Sequence, residues 1–300
     1  MKLSISPETK AQADPFIFED NGKFYIYATA SKGVDAYYSD DLFGEWKYQG
    51  IVTDYPEGFN FWAPSVIKID DVYYMYASCQ VGDSTQLMKV FTATSPLGPF
   101  KHQKTFYDYF SIDSHVVQNE KGLFLWFAKN NVDPIRKGTR IYIDRLVTPL
   151  EVENNPREMV VPTFDEEFFT PNCTADKKWH TIEGPTYFYE DGYHYLMYSG
   201  GCYLDDTYHI GYCYQKSNEN DLTKLDLIKN TDDGKFAPVI IKNEFEEGTG
   251  HHSVIKHNGN YYAVYHARDY GADTYARTAR ICLLEVKDGK IIAKRHPDKL

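Results

Sequence analysis

The sequence has no stretch approaching the roughly 20 apolar residues that a membrane-spanning helix needs. Its first residues, MKLSISPETKAQADP, hold no apolar core of the kind a secretion signal carries. No glycine-rich strand-to-helix motif is present, which argues against nicotinamide or nucleotide chemistry and against an organic cofactor. Cysteines are few and odd in number (Cys79, Cys173, Cys202, Cys213, Cys282) and none is spaced CxxC. That pattern excludes a disulfide framework and a cysteine-based zinc site, and with the missing leader it predicts reduced thiols in a cytoplasmic protein. Positive charge is also in deficit: 32 Lys and Arg against 43 Asp and Glu leave a net charge of -11. Nucleic acid and anionic membrane both require a basic face, so neither is expected as a partner. A neutral, polyhydroxylated ligand is compatible with this charge. No Pro/Gly/Ser-rich linker or composition shift interrupts the chain, so residues 1–300 are expected to form a single domain.

What the chain has in excess is aromatic residues, 26 Tyr and 18 Phe, and they recur in a pattern. Residues 13–28 read ADPFIFEDNGKFYIYA: an acid, an apolar run, a four-residue acidic turn with Asn-Gly, and an alternating aromatic run. Two such runs joined by Asn-Gly predict a β-hairpin. The unit returns as APSVIKIDDVYYMYA at 63–77, IDSHVVQNEKGLFLWFA at 112–128, EGPTYFYEDGYHYLMYS at 183–199 and HHSVIKHNGNYYAVYH at 251–266. A lone hairpin cannot bury its apolar face, so repeated hairpins must pack on one another. A period of about 50 residues early and about 70 later fits four-stranded blades with variable loops. The fold expected is therefore all-β, a five-bladed β-propeller, with each recurring hairpin as the inner strand pair of a blade. Most single tyrosines then serve packing. Between hairpins, outer strands are legible around 35–39, 46–48, 91–95, 140–145, 211–214 and 281–286, the last clear strand. The acidic, aperiodic segment 151–178 reads as a long loop of the kind that carries function.

In a propeller, the residues opening the five hairpins converge on one end of the axis. They are Asp14, the group Trp62-Ala63-Pro64, Asp113, Glu183 and His251. Three carboxylates around one channel suit glycosidic bond cleavage by inversion. One carboxylic acid protonates the leaving oxygen, and a carboxylate across the sugar activates water, with roughly 6.5–9.5 Å between them. A third acid raises the donor's pKa by like-charge repulsion. Singly, an Asp-Pro or a Glu-Gly-Pro is an ordinary turn; the joint pattern is what argues for catalysis.

Segments ADPFIF, WAPSV, IDSHVV, IEGPTYF and GTGHHSV resemble the signature segments of family 43 glycoside hydrolases, in family order along the whole chain. The resemblance implies a five-bladed propeller acting on arabinose- or xylose-containing oligosaccharides from plant polysaccharide. It implies Asp14 as general base, Asp113 as the residue that orients and tunes the acid, and Glu183 as general acid. It also implies His251 at the channel floor, where relatives hold Ca2+ or a similar cation through one His and waters, and Arg277 reaching the sugar site. Two positions depart from the family pattern: Ser65 where Asp is frequent, and Ser114 where Pro is frequent. Which imidazole of His251-His252 faces the channel is left open by the sequence. As a zinc site that pair lacks further ligands. Trp62 reads as a sugar-stacking residue or a plug at the mouth, His115 as structural, and His266 as a strand-end packing or hydrogen-bonding residue. Retaining fructosidases of related architecture are disfavoured, because their NDPNG, RDP and Glu-Cys motifs are absent. The rival of another class is a propeller that binds sugar without cleaving it, which would not need three carboxylates. Among hydrolases, SGGCY at 199–203 and YHAR at 265–268 favour an α-L-arabinofuranosidase over a β-xylosidase or an arabinan-cleaving enzyme. The missing leader favours exo action on short oligosaccharides.

Overall fold

The computed structural model describes residues 1–7, 11–132, 136–169 and 178–298. Five antiparallel sheets stand around an axis, each beginning at its innermost strand. Blade I runs Ala13–Asp20, Lys23–Thr29, Val34–Ser39 and Glu45–Ile51. Blade II runs Gly58–Ile69, Val72–Val81, Leu87–Ala93 and Phe100–Thr105. Blade III runs Ser111–Asn119, Gly122–Asn131 and Gly138–Thr148. Blade IV runs Ile182–Glu190, Tyr193–Gly200, His209–Lys216 and the short Ile228–Lys229. Blade V runs Glu246–His257, Asn260–Asp269, Thr278–Lys287 and Lys290–Lys294.

The five expected hairpins are the five inner pairs, so the protein is a five-bladed β-propeller. The turns are tighter than the sequence suggests. In blade I, Glu19 and Asp20 stay in the strand and only Asn21-Gly22 turns, both at positive φ (52° and 73°). Asp191-Gly192 and Asn258-Gly259 turn blades IV and V in the same way. Positive φ at both central residues matches the right-handed twist of the flanking strands.

Two expectations about the outer strands need correction. The segment expected to be a long loop supplies Glu151–Val152 and Arg157–Val160, which pair with Gly138–Thr148 at the outer edge of blade III. Strands this short are held by their surroundings rather than by an alternating pattern: Arg157 donates to the carbonyls of Thr223 and Leu225. Residues 170–177 of that segment, Cys173 among them, lie outside the described residues. The strand around 281–286 is not the last, because Lys290–Lys294 follows and completes blade V.

The ring closes through the N-terminus. Leu3 N–H donates to Ala279 O and Ile281 N–H to Met1 O, on blade V. Ser4–Ser6 then runs parallel to Glu45–Ile51 of blade I. Five buried apolar clusters fill the five seams between blades, represented by Tyr27 and Phe61 (I/II), Tyr76 and Phe127 (II/III), Trp126 and Leu196 (III/IV), Tyr195 and Tyr265 (IV/V), and Ile26 and Val264 (V/I). Burying a side chain of this size contributes about 1.5–3 kcal/mol. The aromatic excess is thus spent mainly between sheets, and the residues at the axial mouth are free to be polar.

Candidate active site

Each inner strand begins with an irregularity. Its register against the second strand shifts at Ala13/Phe16, Trp62/Ser65, Ile112/His115, Glu183/Thr186 and Gly250/His252. Within each shift one residue adopts the left-handed conformation: Asp14 (φ 54°), Ala63 (43°), Asp113 (60°), Gly184 (58°) and His251 (43°). For a non-glycine residue such backbone costs roughly 1–3 kcal/mol and persists only where its surroundings over-determine it. At four of the five steps a side chain on the neighbouring blade holds the amide. Ala63 N–H donates to Thr29 Oγ1 (2.9 Å), Gly184 N–H to Asp113 Oδ2 (3.0 Å), His251 N–H to Ser199 Oγ (2.8 Å) and Asp14 N–H to His266 Nδ1 (3.1 Å).

The five openers are therefore not strictly equivalent. Asp14, Asp113 and His251 project from the strained step itself. Glu183 and Trp62 stand one residue earlier, opposite Ser199 and Ser78 of their second strands. In blade IV the strained step falls on Gly184, which accepts it without steric penalty.

All six residues singled out from the sequence nevertheless meet. Asp14, Trp62, Asp113, Glu183, His251 and Arg277 line one pocket of about 140 Å³, together with Thr29, Ile112 and Tyr203. Trp62 is 37% exposed and stands at the wall as an open aromatic face. Arg277 Nη1 donates to Asp14 Oδ1 (3.0 Å) and Thr29 Oγ1 to Asp14 Oδ2 (2.5 Å). His251 Nδ1 lies 3.5 Å from Asp14 Oδ1 and 3.8 Å from Asp113 Oδ2, so His251 is the imidazole that faces the pocket. His252 instead lines a smaller axial cavity behind it, with His115, Ser114 and Pro64. His115 bridges blades there, with Nε2 on Tyr187 O (3.3 Å).

The carboxyls differ in charge state. Burial pushes Asp14 up, but the Arg277 guanidinium, with His251 and His266, outweighs it and holds Asp14 well below the usual carboxylate range. Burial lowers the pKa of His251, so the permanent positive charge beside Asp14 is that of Arg277. Glu183 is pushed up to about 7, first by burial and then by the charge on Asp14, against the Tyr208 hydrogen bond and Arg277. Asp113 is raised well above the usual range by burial, Glu183 and Asp14 in that order. The sequence reading made Asp113 the charge that keeps Glu183 protonated. In the structure burial leads, and Asp113 and Glu183 are raised together, so near neutral pH the pair retains a proton between them.

Sequence reasoning missed Thr29, Tyr203 and Tyr208. Thr29, Ser78, Ser199 and His266 occupy the same register position on four second strands, opposite Ala13, Trp62, Glu183 and Gly250, so a comparison of hairpin ends points to Thr29. Tyr203 packs its ring 4.7 Å from the Arg277 guanidinium, from a connection with no repeat to mark it. The two departures from the family pattern answer each other. Ser65 Oγ and Ser114 Oγ lie 2.9 Å apart across the blade II/III seam, and Ser114 Oγ donates on to Tyr76 O (2.8 Å).

A five-bladed propeller whose axial pocket sets an ionised and a protonated carboxyl beside an arginine and an open indole is the equipment of a glycoside hydrolase. The chain belongs to glycoside hydrolase family 43: the profile described as "Glycosyl hydrolases family 43" matches residues 8–291. It is similar to a solved thermostable family-43 glycoside hydrolase, with TM-score 0.85 and 26% identity over 100% of this chain and 97% of that one. It is similar in fold to an α-L-arabinofuranosidase from Lactobacillus brevis, with TM-score 0.79 and 20% identity over 96% and 95% of the two chains. In sequence it is 26% identical to the β-D-galactofuranosidase xynD of Aspergillus niger, over 91% of this chain and 78% of that protein.

Proposed function

We propose that the protein is an inverting exo-acting α-L-arabinofuranosidase in which Glu183 is the general acid and Asp14 the general base. One observation carries the mechanism: two carboxyls of one pocket are driven in opposite directions, Glu183 up to about 7 and Asp14 well down. Paired groups pushed apart in this way mark an acid and a base. Glu183 delivers its proton to the glycosidic oxygen as the C1–O bond breaks. Asp14, ionised by Arg277, takes a proton from the water attacking the opposite face. Asp113 tunes Glu183 and orients the chain beside it, Trp62 stacks on the sugar face, and Arg277 orients Asp14.

The substrate reading rests on separate support. The two segments that favour an arabinofuranosidase meet at the pocket wall, where Arg268 Nη1 donates to Tyr203 O (2.9 Å). His266 of the second segment holds the Asp14 amide. The pocket is compact, about 140 Å³, which supports a subsite for one terminal sugar. The curated relative named for β-D-galactofuranose is consistent with this. L-Arabinose is D-galactose without C6, and the α-L-arabino and β-D-galacto furanosides share their ring configuration.

For the cation, ligand atoms of Asp113, Glu183 and His251 lie within 4.8 Å of one another, a donor set that fits a divalent ion. An ion on all three would keep Glu183 ionised and unable to give a proton. The compatible arrangement holds a Ca2+-like ion through His251 with water completing the oxygen-rich shell, and there it would supply fixed positive charge near Asp113. Thermal melting with chelator and with added calcium tests it; unchanged melting in both sets the ion aside.

Initial rates on aryl α-L-arabinofuranoside, β-D-galactofuranoside and β-D-xyloside, wild type against Asp14→Asn, test the function. The proposal expects the arabinofuranoside to be cleaved fastest and the Asp14 variant to be inactive on it. A xyloside preference overturns the substrate. Absence of turnover on every glycoside points to the sugar-binding alternative.

A further inference from the structure

Tyr208 lies in the connection between the second and third strands of blade IV, beyond the SGGCY segment and at a position that no repeat marks. It is among the largest fully buried side chains of the protein, yet its hydroxyl reaches the active site and donates to Glu183 Oε1 at 2.6 Å. Two features fix the ring. It stacks on His266 with centroids 5.5 Å apart and planes 12° apart. It also occupies the space at Gly250, where a β-carbon would stand 2.0 Å from the ring. His266 in turn accepts the Asp14 amide through Nδ1. A single stacked pair thus touches the proposed acid and the proposed base, the phenol on the Glu183 carboxyl and the imidazole on the backbone of Asp14.

We propose that Tyr208 is the positioning residue of the proton donor: its fixed hydroxyl occupies Oε1 of Glu183 and leaves Oε2 as the oxygen that carries the transferable proton. The proposal rests on the reading of Glu183 as general acid. The Oε2 proton passes to the glycosidic oxygen, the C1–O electron pair goes to that oxygen, and the attacking water gives its proton to Asp14. Tyr208 keeps its own proton throughout, because burial first and the nearby Glu183 charge second push its phenol well above the ordinary tyrosine range.

The phenol also has a sign that can be measured. A donor on a carboxylate favours the charged form, so Tyr208 pulls the pKa of Glu183 down against burial and Asp14. The other groups facing Glu183 are Asp113, His251, Arg277 and Tyr203. None of them changes when only the hydroxyl is removed.

The experiment compares pH profiles of kcat/KM for wild type, Tyr208→Phe, and a variant with 3-fluorotyrosine at position 208, a stronger donor of nearly the same shape. The proposal expects the alkaline limb to move up by roughly one unit in the Phe variant and down in the fluorotyrosine variant. It also expects kcat in the Phe variant to fall more on substrates with poor leaving groups than on aryl glycosides. Limbs that stay in place, or that move the same way in both variants, overturn it, and the fluorotyrosine variant decides alone should the Phe variant melt early. Glu183→Gln separates the two claims. If it keeps the alkaline limb, the reading of Glu183 is wrong. If it abolishes the limb while both Tyr208 variants leave it unmoved, only the role of Tyr208 falls.

Discussion

The amide of Gly184 donates to Asp113 Oδ2 at 3.0 Å, so the residue directly after the proposed acid is held by the carboxyl of the neighbouring blade. Asp113 therefore acts on Glu183 twice, through the backbone and through shared titration. Asparagine keeps an oxygen for the Gly184 amide and removes only the ionisable group. In Asp113→Asn, Glu183 titrates alone and loses the like-charge contribution that delays its last ionisation. The alkaline limb of the pH–rate profile is expected to move down, opposite to the Tyr208→Phe shift, with modest change in KM. Measuring both variants on one aryl glycoside checks the opposed signs.

Glu183→Gln tests the donor by the leaving group. An aryl alkoxide departs with little protonation, and a sugar alkoxide does not. General acid catalysis contributes typically 10²–10⁴-fold. The variant is expected to lose about that factor on oligosaccharides and much less on an activated aryl glycoside. Asp14→Asn is expected to damage both alike, because water activation is needed whatever departs. Parallel kcat/KM values on the two substrate types separate these patterns.

Arg277→Met removes the cation that holds Asp14 ionised. Burial then acts on Asp14 with less opposition, and its pKa rises. Since the base works in its charged form, the acidic limb is expected to move up while the alkaline limb moves up more weakly, because Arg277 also lowers Glu183. An acidic limb that does not move assigns the ionisation of Asp14 to another partner.

The same site makes stability depend on pH. Glu183 has a folded pKa of about 7 against an ordinary 4.5, so the folded state binds the proton more tightly than the unfolded one. Its contribution is complete below about 4.5 and is lost as pH rises through about 7, which amounts to roughly 3 kcal/mol. Glutamine carries no charge to bury. Glu183→Gln is therefore expected to raise the melting temperature by a few degrees at pH 8 and to match wild type at pH 4. Calorimetry at the two pH values reads this directly.

The propeller was legible because its inner hairpins repeat a strong local signal, and the pocket followed because hairpin openings of a closed ring must converge. Asp14, Asp113 and Glu183 could be read for that reason. The one-residue offset of Glu183 could not, since it depends on where the strained step falls, on Gly184 in blade IV and Ala63 in blade II but on Asp14, Asp113 or His251 in the other three. Arg157–Val160 was read as loop because a four-residue edge strand held by Arg157 contacts leaves no alternation to detect. Tyr208 was invisible for a different reason. It reaches Glu183 from a connection, through a ring stack and an empty glycine position that exist only once blades IV and V are packed.

The most direct test of the account is proton NMR of the first sugar released from an aryl α-L-arabinofuranoside, recorded before mutarotation. With Glu183 as acid and Asp14 as base across the ring, β-L-arabinofuranose appears first and the α anomer grows in later. If the α anomer appears first, the configuration is retained, Asp14 acts as a nucleophile, and the mechanism proposed for this pocket is wrong.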